Sequence, residues 1–286
     1  MLPTKITSYL KNELNIVVRN TRSVSGGSIN RAVKVTSTEG DLFLKWNGSA
    51  PDNFFEKEAD GLKLLKSAGT GLRIPEVIAA EMPVSGRPGF LLMEYIDESH
   101  GGDSFAFGVE LAALHQTRSE QFGLAHDNYI GSLPQTNRRH TEWTTFFSEE
   151  RITPQLKMAI DSNKMNSGIL KHWDRMASKL DDLFPPAKPS LIHGDLWGGN
   201  YLFDSNGAAV LIDPAVYFGH PEMDLAFSKM FGGFSADFYD GYQSVTRIEA
   251  EFSERVPVYN LYPLLVHVNL FGAGYTRQAE QILKNF

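Results

Sequence analysis

The segment LIHGDLWGGN at 191–200 ends in a short loop with a carboxylate, Asp195, at one end and an amide, Asn200, at the other, with Gly198 and Gly199 between them. Leu191 and Ile192 read as the end of a buried strand, whereas the residues after them are poor core material. A carboxylate and an amide at D-x-x-x-x-N spacing suit phosphoryl transfer, in which catalysis is largely positioning and charge neutralisation. Asp195 would face the acceptor hydroxyl as the base, and Asn200 would hold Mg²⁺. A second, anionic metal ligand is then needed, and Asp213 supplies it at the end of the apolar segment AAVLID, with Pro214 stopping the strand. Hard oxygen donors from Asn200, Asp213, phosphate and water suit Mg²⁺.

The same chemistry needs a cation for the nucleotide phosphates and a group to aim it. Lys45 lies inside LFLKW, on the strand face it shares with Phe43, and a charge on a buried face is costly unless paired. Glu58 follows Phe55 by three residues and precedes Leu62 by four, so it falls on the apolar face of its helix. Two misplaced charges of opposite sign explain each other. Upstream, SGGSINRA at 25–32 would turn over the phosphates with backbone amides as donors, Gly27 and Ser28 among them. Taken singly, each signal has an ordinary reading: a hairpin turn, a snorkelling lysine, a solvated helix acid, a strand-end aspartate. Their order and spacing are what favour the chemical one. His115 reads as a packed structural residue and His193 as a brace for the loop. His126, His220 and His267 have no metal-ligand spacing.

These residues must be positioned by two kinds of structure. Over roughly 15–96, five strand-like runs accompany one helix at 52–68, with Asp52 as its expected N-cap and Gly69 as its stop. After Gly101-Gly102 the character is helical: 103–117, 142–163, 167–182, 221–230 and 254–284. Only YLF and AAVLID interrupt it, joined through an Asn-Gly that signals a hairpin. The expected fold class is α+β and two-lobed: residues 1–96 a small nucleotide-binding lobe with an antiparallel sheet and one helix, and 97–286 a larger helical lobe for catalysis and substrate. The 286 residues, 42% of them apolar, can fill both. A net charge of −7 argues against nucleic acid or an anionic membrane as partner. With no cysteine, disulfides, thiolate metal sites and a cysteine nucleophile are excluded. The first ten residues, MLPTKITSYL, lack a signal-peptide core, so a soluble cytoplasmic protein is expected.

LIHGDLWGGN followed by IDPAVYFGHPEMDLAFSKMFGGF resembles the fructosamine-3-kinase, or ketosamine-3-kinase, family within the aminoglycoside-phosphotransferase-like kinases. GGSINRA, FLKWN, FEKEADGLKLL, FLLMEYI and LYPLLVHVNLFG extend the resemblance over nearly the whole chain. It implies a protein-kinase-like fold and the cofactors ATP and Mg²⁺, with Asp195 as base, Asn200 and Asp213 as metal ligands, and Lys45 with Glu58 as the phosphate-anchoring pair. It further implies that Met93, Glu94, Tyr95 and Ile96 meet adenine through their backbone, that Trp197 flanks the sugar, and that Asp224 anchors the catalytic loop. The chain departs from some relatives at Ser28, where they carry a cysteine, so a thiol switch is ruled out. The implied reaction phosphorylates the 3-hydroxyl of ribulosamines, erythrulosamines or fructosamines, whether small molecules or glycated protein lysines, and leads to deglycation. A kinase for an aminoglycoside, choline or a free sugar is the alternative. Acidic residues at Glu222, Asp224, Glu149 and Glu150 keep it open, since a cationic substrate would be met by such groups. A nucleotide-binding scaffold without activity would be expected to lose one of Lys45, Asp195, Asn200 or Asp213, and all four are present.

Overall fold

The computed structural model describes residues 2–24, 29–99, 101–272 and 274–285. The chain divides into two compact units: Met1–Asp103 with Tyr201–Asp213, and Ser104–Asn200 with Pro214–Phe286. Among the described residues, no helix is long and apolar enough to cross a membrane.

The first unit opens with helix α1 (Thr4–Glu13), which the sequence reading did not anticipate. Strands β1 (Val18–Ser23), β2 (Arg31–Ser37) and β3 (Gly40–Asn47) follow, then helix α2 (Phe54–Ser67), β4 (Val77–Glu81) and β5 (Gly89–Glu94). The five strands form one antiparallel sheet in the order β1-β2-β3-β5-β4. Period-two alternation sorts β3 into two faces. Leu42, Leu44 and Trp46 join Ile6 and Leu10 of α1 in one hydrophobic core, which leaves Lys45 on the opposite face. The expected N-cap is corrected: Asn53, not Asp52, precedes α2, in the left-handed region at φ 63 and with no side-chain cap bond.

The sequence reading cuts the chain once, at 96/97. The contacts instead carry residues 97–103 and the returning hairpin with the first unit. Glu98–Ser99 pairs with Phe203 and Asp204 of the strand Tyr201–Asp204, and that strand pairs antiparallel with Ala209–Leu211. Arg73 adds three ties: its guanidinium meets Asp204 at 2.6 Å, its N–H donates to Ala209 O at 2.9 Å, and its carbonyl accepts from Leu211 N at 3.0 Å.

The second unit is mainly helical. Helix α3 (Ser104–Leu114) packs along Ala236–Val245, a helix absent from the sequence reading. The approach is backbone on backbone. A Cβ at Gly108 would stand 1.9 Å from Phe238 O, and one at Gly241 would stand 2.1 Å from Phe105 O. Gly108→Ala therefore forces the helices apart, and we expect a loss at or above the upper end of the roughly 1–3 kcal/mol typical of overpacking. Thermal denaturation checks this, and a melting temperature equal to wild type would refute the tight approach.

Candidate active site

Within the first unit, three charged groups meet. Lys45 Nζ lies 2.5 Å from Glu58 Oε1 and 2.5 Å from Asp213 Oδ1. Lys45 is buried and Glu58 nearly so, with side chains 5% and 10% exposed, while Asp213 is 45% exposed. The sequence pairs Lys45 with Glu58; its contact with Asp213, 168 positions away, comes from the hairpin. Asp213 lies beyond the end of its strand at φ 52, a left-handed conformation that Asp tolerates better than most residues. Burial disfavours charge on Lys45, but the two carboxylates outweigh it and hold its pKa above the usual lysine value. Burial pushes Glu58 up to about 7, with Lys45 opposing and Asp213 reinforcing.

Of the two carboxylates that face the ammonium, Asp213 is the more exposed. This suits a divalent cation at Asp213, whose hard oxygen is the donor Mg²⁺ prefers. The raised acid has a consequence for stability. A group whose folded pKa exceeds its unfolded one stabilises fully below the unfolded value and loses that contribution as pH rises through the folded value. For Glu58 that window runs from the ordinary glutamate value of 4.5 to about 7. Glu58→Gln should keep the fold, lower catalytic efficiency because Lys45 is less well aimed, and lose less stability than wild type between pH 5 and 8. Melts at both pH values decide it; an equal or larger loss in the variant would mean that Glu58 does not carry the proton.

The segment Met93–Ile96 has two of its members in the sheet. Met93 and Glu94 end β5, where Glu94 N donates to Glu76 O at 2.8 Å and the Glu94 carboxylate pairs with Arg73. The Tyr95 ring carries Lys34 Nζ at 4.0 Å from its centroid. The expected phosphate-covering residues Gly27 and Ser28 lie outside the described residues. Beside them, Asn47 Nδ2 donates to Ile29 O at 3.2 Å and to Asn30 Oδ1 at 3.3 Å, fastening the end of β3 to the exit of that segment.

Within the second unit, the loop 193–200 is held from three sides. Asn200 Nδ2 donates to Asp195 O at 2.8 Å and to Asp195 Oδ2 at 2.7 Å, so the amide both closes the loop and aims the carboxylate. His193 is fully buried and accepts from Asp195 N at Nδ1, 3.3 Å away. Asp224, on the helix Glu222–Met230, accepts from His193 N at 2.7 Å and from Gly194 N at 2.9 Å. His115 is buried, with Nε2 3.3 Å from Asp224 Oδ2 and Nδ1 2.9 Å from Tyr242 Oη. Gly194 has φ +81, and a Cβ there would meet Ala215 O at 2.2 Å, which is why the His-Gly-Asp run needs its glycine. Trp197 is half-buried, edge-on to Phe231 at 5.9 Å between centroids.

Two supports went unnoticed in the sequence. The turn Gly232–Gly233, with φ +75 and +99, packs on the loop: a Cβ at Gly198 would stand 2.9 Å from Gly232 O. Beneath the segment after Pro214 lies a buried polar floor. Gln135 Nε2 donates to Ala215 O at 3.1 Å, Asn128 Nδ2 donates to Val216 O at 2.9 Å, and Tyr262 Oη donates to Gln135 Oε1 at 2.6 Å. Ala215 N in turn donates to His193 O at 2.9 Å, so the floor reaches the loop 193–200.

The acidic residues that favoured a cationic substrate are spent elsewhere. Glu222 is buried in a two-point pair with Arg255, at 2.8 and 2.6 Å, and Asp224 serves the loop amides. Glu150 is buried against Arg138 at 2.8 Å and His140 at 3.1 Å, and Arg138 also lies 3.6 Å from Glu149. Glu222, Asp224 and Glu150 are buried and already face donors or cations, which a cationic substrate would have to displace, whereas Glu149 is half-exposed beside an exposed Arg138.

A family model described as fructosamine kinase matches residues 3–286. A protein of Enterococcus faecium named "probable ketoamine kinase" is 38% identical over 265 residues, covering 92% of this chain and 94% of that protein. The chloroplastic protein-ribulosamine 3-kinase of Arabidopsis thaliana is 37% identical over 270 residues, covering 92% of this chain and 81% of its own. A solved Thermobifida fusca structure described as a "putative fructosamine-3-kinase" superposes with a TM-score of 0.86 at 32% identity, covering 98% of this chain and 97% of that one. The motifs now have physical reasons in the loop, its anchor and the Lys45 cluster, and the match runs almost end to end: the chain belongs to the fructosamine kinase family.

Proposed function

We propose that this protein is an ATP-dependent kinase that transfers a phosphoryl group to the 3-hydroxyl of ketosamines, both small molecules and glycated protein lysines. The observation that carries the reading is the pairing of two devices in a chain of this family. One is a buried lysine aimed by two carboxylates, and the other is a partly exposed Asp195 whose carboxylate is oriented by Asn200. Asp195 would accept the hydroxyl proton as the new oxygen–phosphorus bond forms and the bond to ADP breaks. Lys45 would hold the nucleotide phosphates, with Glu58 keeping its ammonium in place. Asp213 and the Asn200 carbonyl oxygen would hold Mg²⁺, which when bound neutralises charge on the phosphates. Trp197 would flank the sugar, and the backbone of 93–96 would meet adenine. The 3-phosphate then eliminates and frees the amine, so the role is deglycation in a cytoplasmic setting.

The test is ADP release with Mg·ATP and, in separate reactions, ribulose-lysine, fructose-lysine, kanamycin and choline, with the phosphate located by NMR. Phosphate on C3 of a ketosamine supports the reading. Turnover of kanamycin or choline with none of either ketosamine would replace it, and undiminished activity in EDTA would remove Mg²⁺ from it.

A further inference from the structure

Aromatic rings in the second unit form a track that starts at the catalytic loop and ends in solvent. Trp197, two residues from Asp195, folds back over Gly199, where a Cβ would meet the indole at 2.3 Å. From Trp197 the track runs to Phe231 at 5.9 Å, from Phe231 to His267 at 5.1 Å, and from His267 to Phe271 at 5.5 Å between centroids. Phe231 is 44% exposed and Phe271 52% exposed. Core packing accounts for buried rings, but it does not account for two half-exposed phenylalanines at the outer part of a track that begins beside the base.

The track is held in place rather than draped on the surface. Phe231 immediately precedes the Gly232–Gly233 turn, which packs against Gly198 of the catalytic loop. The His267 ring is fixed by its Nδ1, 2.7 Å from Pro263 O, and burial keeps its pKa below the usual histidine value, so the ring is neutral at pH 7. Every ring in the run is therefore uncharged at that pH.

A surface continuous with the base should meet what is continuous with the acceptor sugar. In a ketosamine that is the substituent on nitrogen. We propose that Phe231 and Phe271 form a carrier subsite that selects ketosamines whose amine bears an aromatic group, including lysines flanked by aromatic residues in a glycated chain. The inference rests on the functional reading above and adds a preference to it. Ring-on-ring contact adds to simple area burial, and a preference of about fivefold for an aromatic carrier is the expected size.

The experiment compares kcat/KM for the ribulosamines of phenethylamine and ethylamine, by ADP release, in wild type, Phe271→Ala, Phe231→Ala and Phe271→Leu. Wild type should favour the phenethyl substrate about fivefold or more. The ratio should fall to about 1 in the alanine variants and to an intermediate value in Phe271→Leu. Phe271 is half in solvent, so if a melt shows Phe231→Ala unfolded, Phe271→Ala alone decides. A wild-type ratio near 1, or a preference that survives in Phe271→Ala, overturns the carrier subsite and leaves the functional reading standing. No turnover of any ketosamine overturns both.

Discussion

Asp195→Asn should reduce kcat by about 10²–10⁴-fold, the usual contribution of a positioned general base, with KM for ATP little changed. The substitution keeps volume and nearly keeps shape. Asn200 Nδ2 now donates to Asp195 Oδ2 at 2.7 Å, and the new amide can still offer its oxygen to that donor. Its remaining atom is then an NH₂ group, which cannot accept the substrate proton. Loop geometry is thus retained while basicity is lost, the combination that separates chemistry from binding. Steady-state kinetics with Mg·ATP and ribulose-lysine, alongside a melt to confirm the fold, reads the effect. A variant keeping more than about a tenth of wild-type kcat would show that Asp195 is not the base.

The parts of this site that were legible in the sequence are those specified within a few residues of each other. Asp195 and Asn200 sit on one loop and bond to each other directly. Lys45 and Glu58 were found because each is a charge on an apolar face, and a buried charge calls for a partner. The hairpin was visible in its Asn-Gly turn, where Asp204 Oδ1 accepts from Asn206 N at 2.8 Å and Ala208 N at 3.0 Å. Less legible were features defined by the meeting of distant segments. Nothing local says that Arg73 ties the hairpin to the sheet-bearing unit, yet that tie belongs to the packing that sets Asp213 against Lys45. The helix Ala236–Val245 carries Gly241 near its centre, a poor helix former in isolation. It is favoured because that glycine lets Phe105 O approach, a fact of packing rather than of periodicity. Helix α1 was hidden by its short apolar face, only Ile6 and Leu10 being buried. The acids at 222, 224 and 150 looked available for a cationic substrate because Arg255, the loop amides and Arg138 are distant in sequence or unmarked by any motif.

Asp224→Ala should be the most damaging change outside the reacting groups, in stability and turnover together. The wild-type carboxylate is 1% exposed and accepts two backbone N–H bonds, from His193 and Gly194, with His115 Nε2 beside it. Alanine leaves those two amides buried without acceptors. Each orphaned buried donor costs about 1–3 kcal/mol, and more where the lost acceptor was charged, so a loss of roughly 3–5 kcal/mol is expected. His193 and Gly194 immediately precede Asp195, so their release also frees the proposed base to move, and small misplacements of a reacting group cost about 10²-fold in rate. Asp224→Asn separates the two effects. Its single carbonyl oxygen can serve one of the two amides while its NH₂ faces the other, so it should fall between wild type and alanine in both melting temperature and kcat. KM for ATP should hold in both variants, because Lys45, Glu58 and Asp213 belong to the other unit. The opposite result is equally readable. If Asp224→Ala loses stability as expected but keeps wild-type kcat at a temperature where it is folded, the loop holds its geometry through Asn200 and the Ala215–His193 bond alone, and Asp224 stabilises the fold without positioning the base.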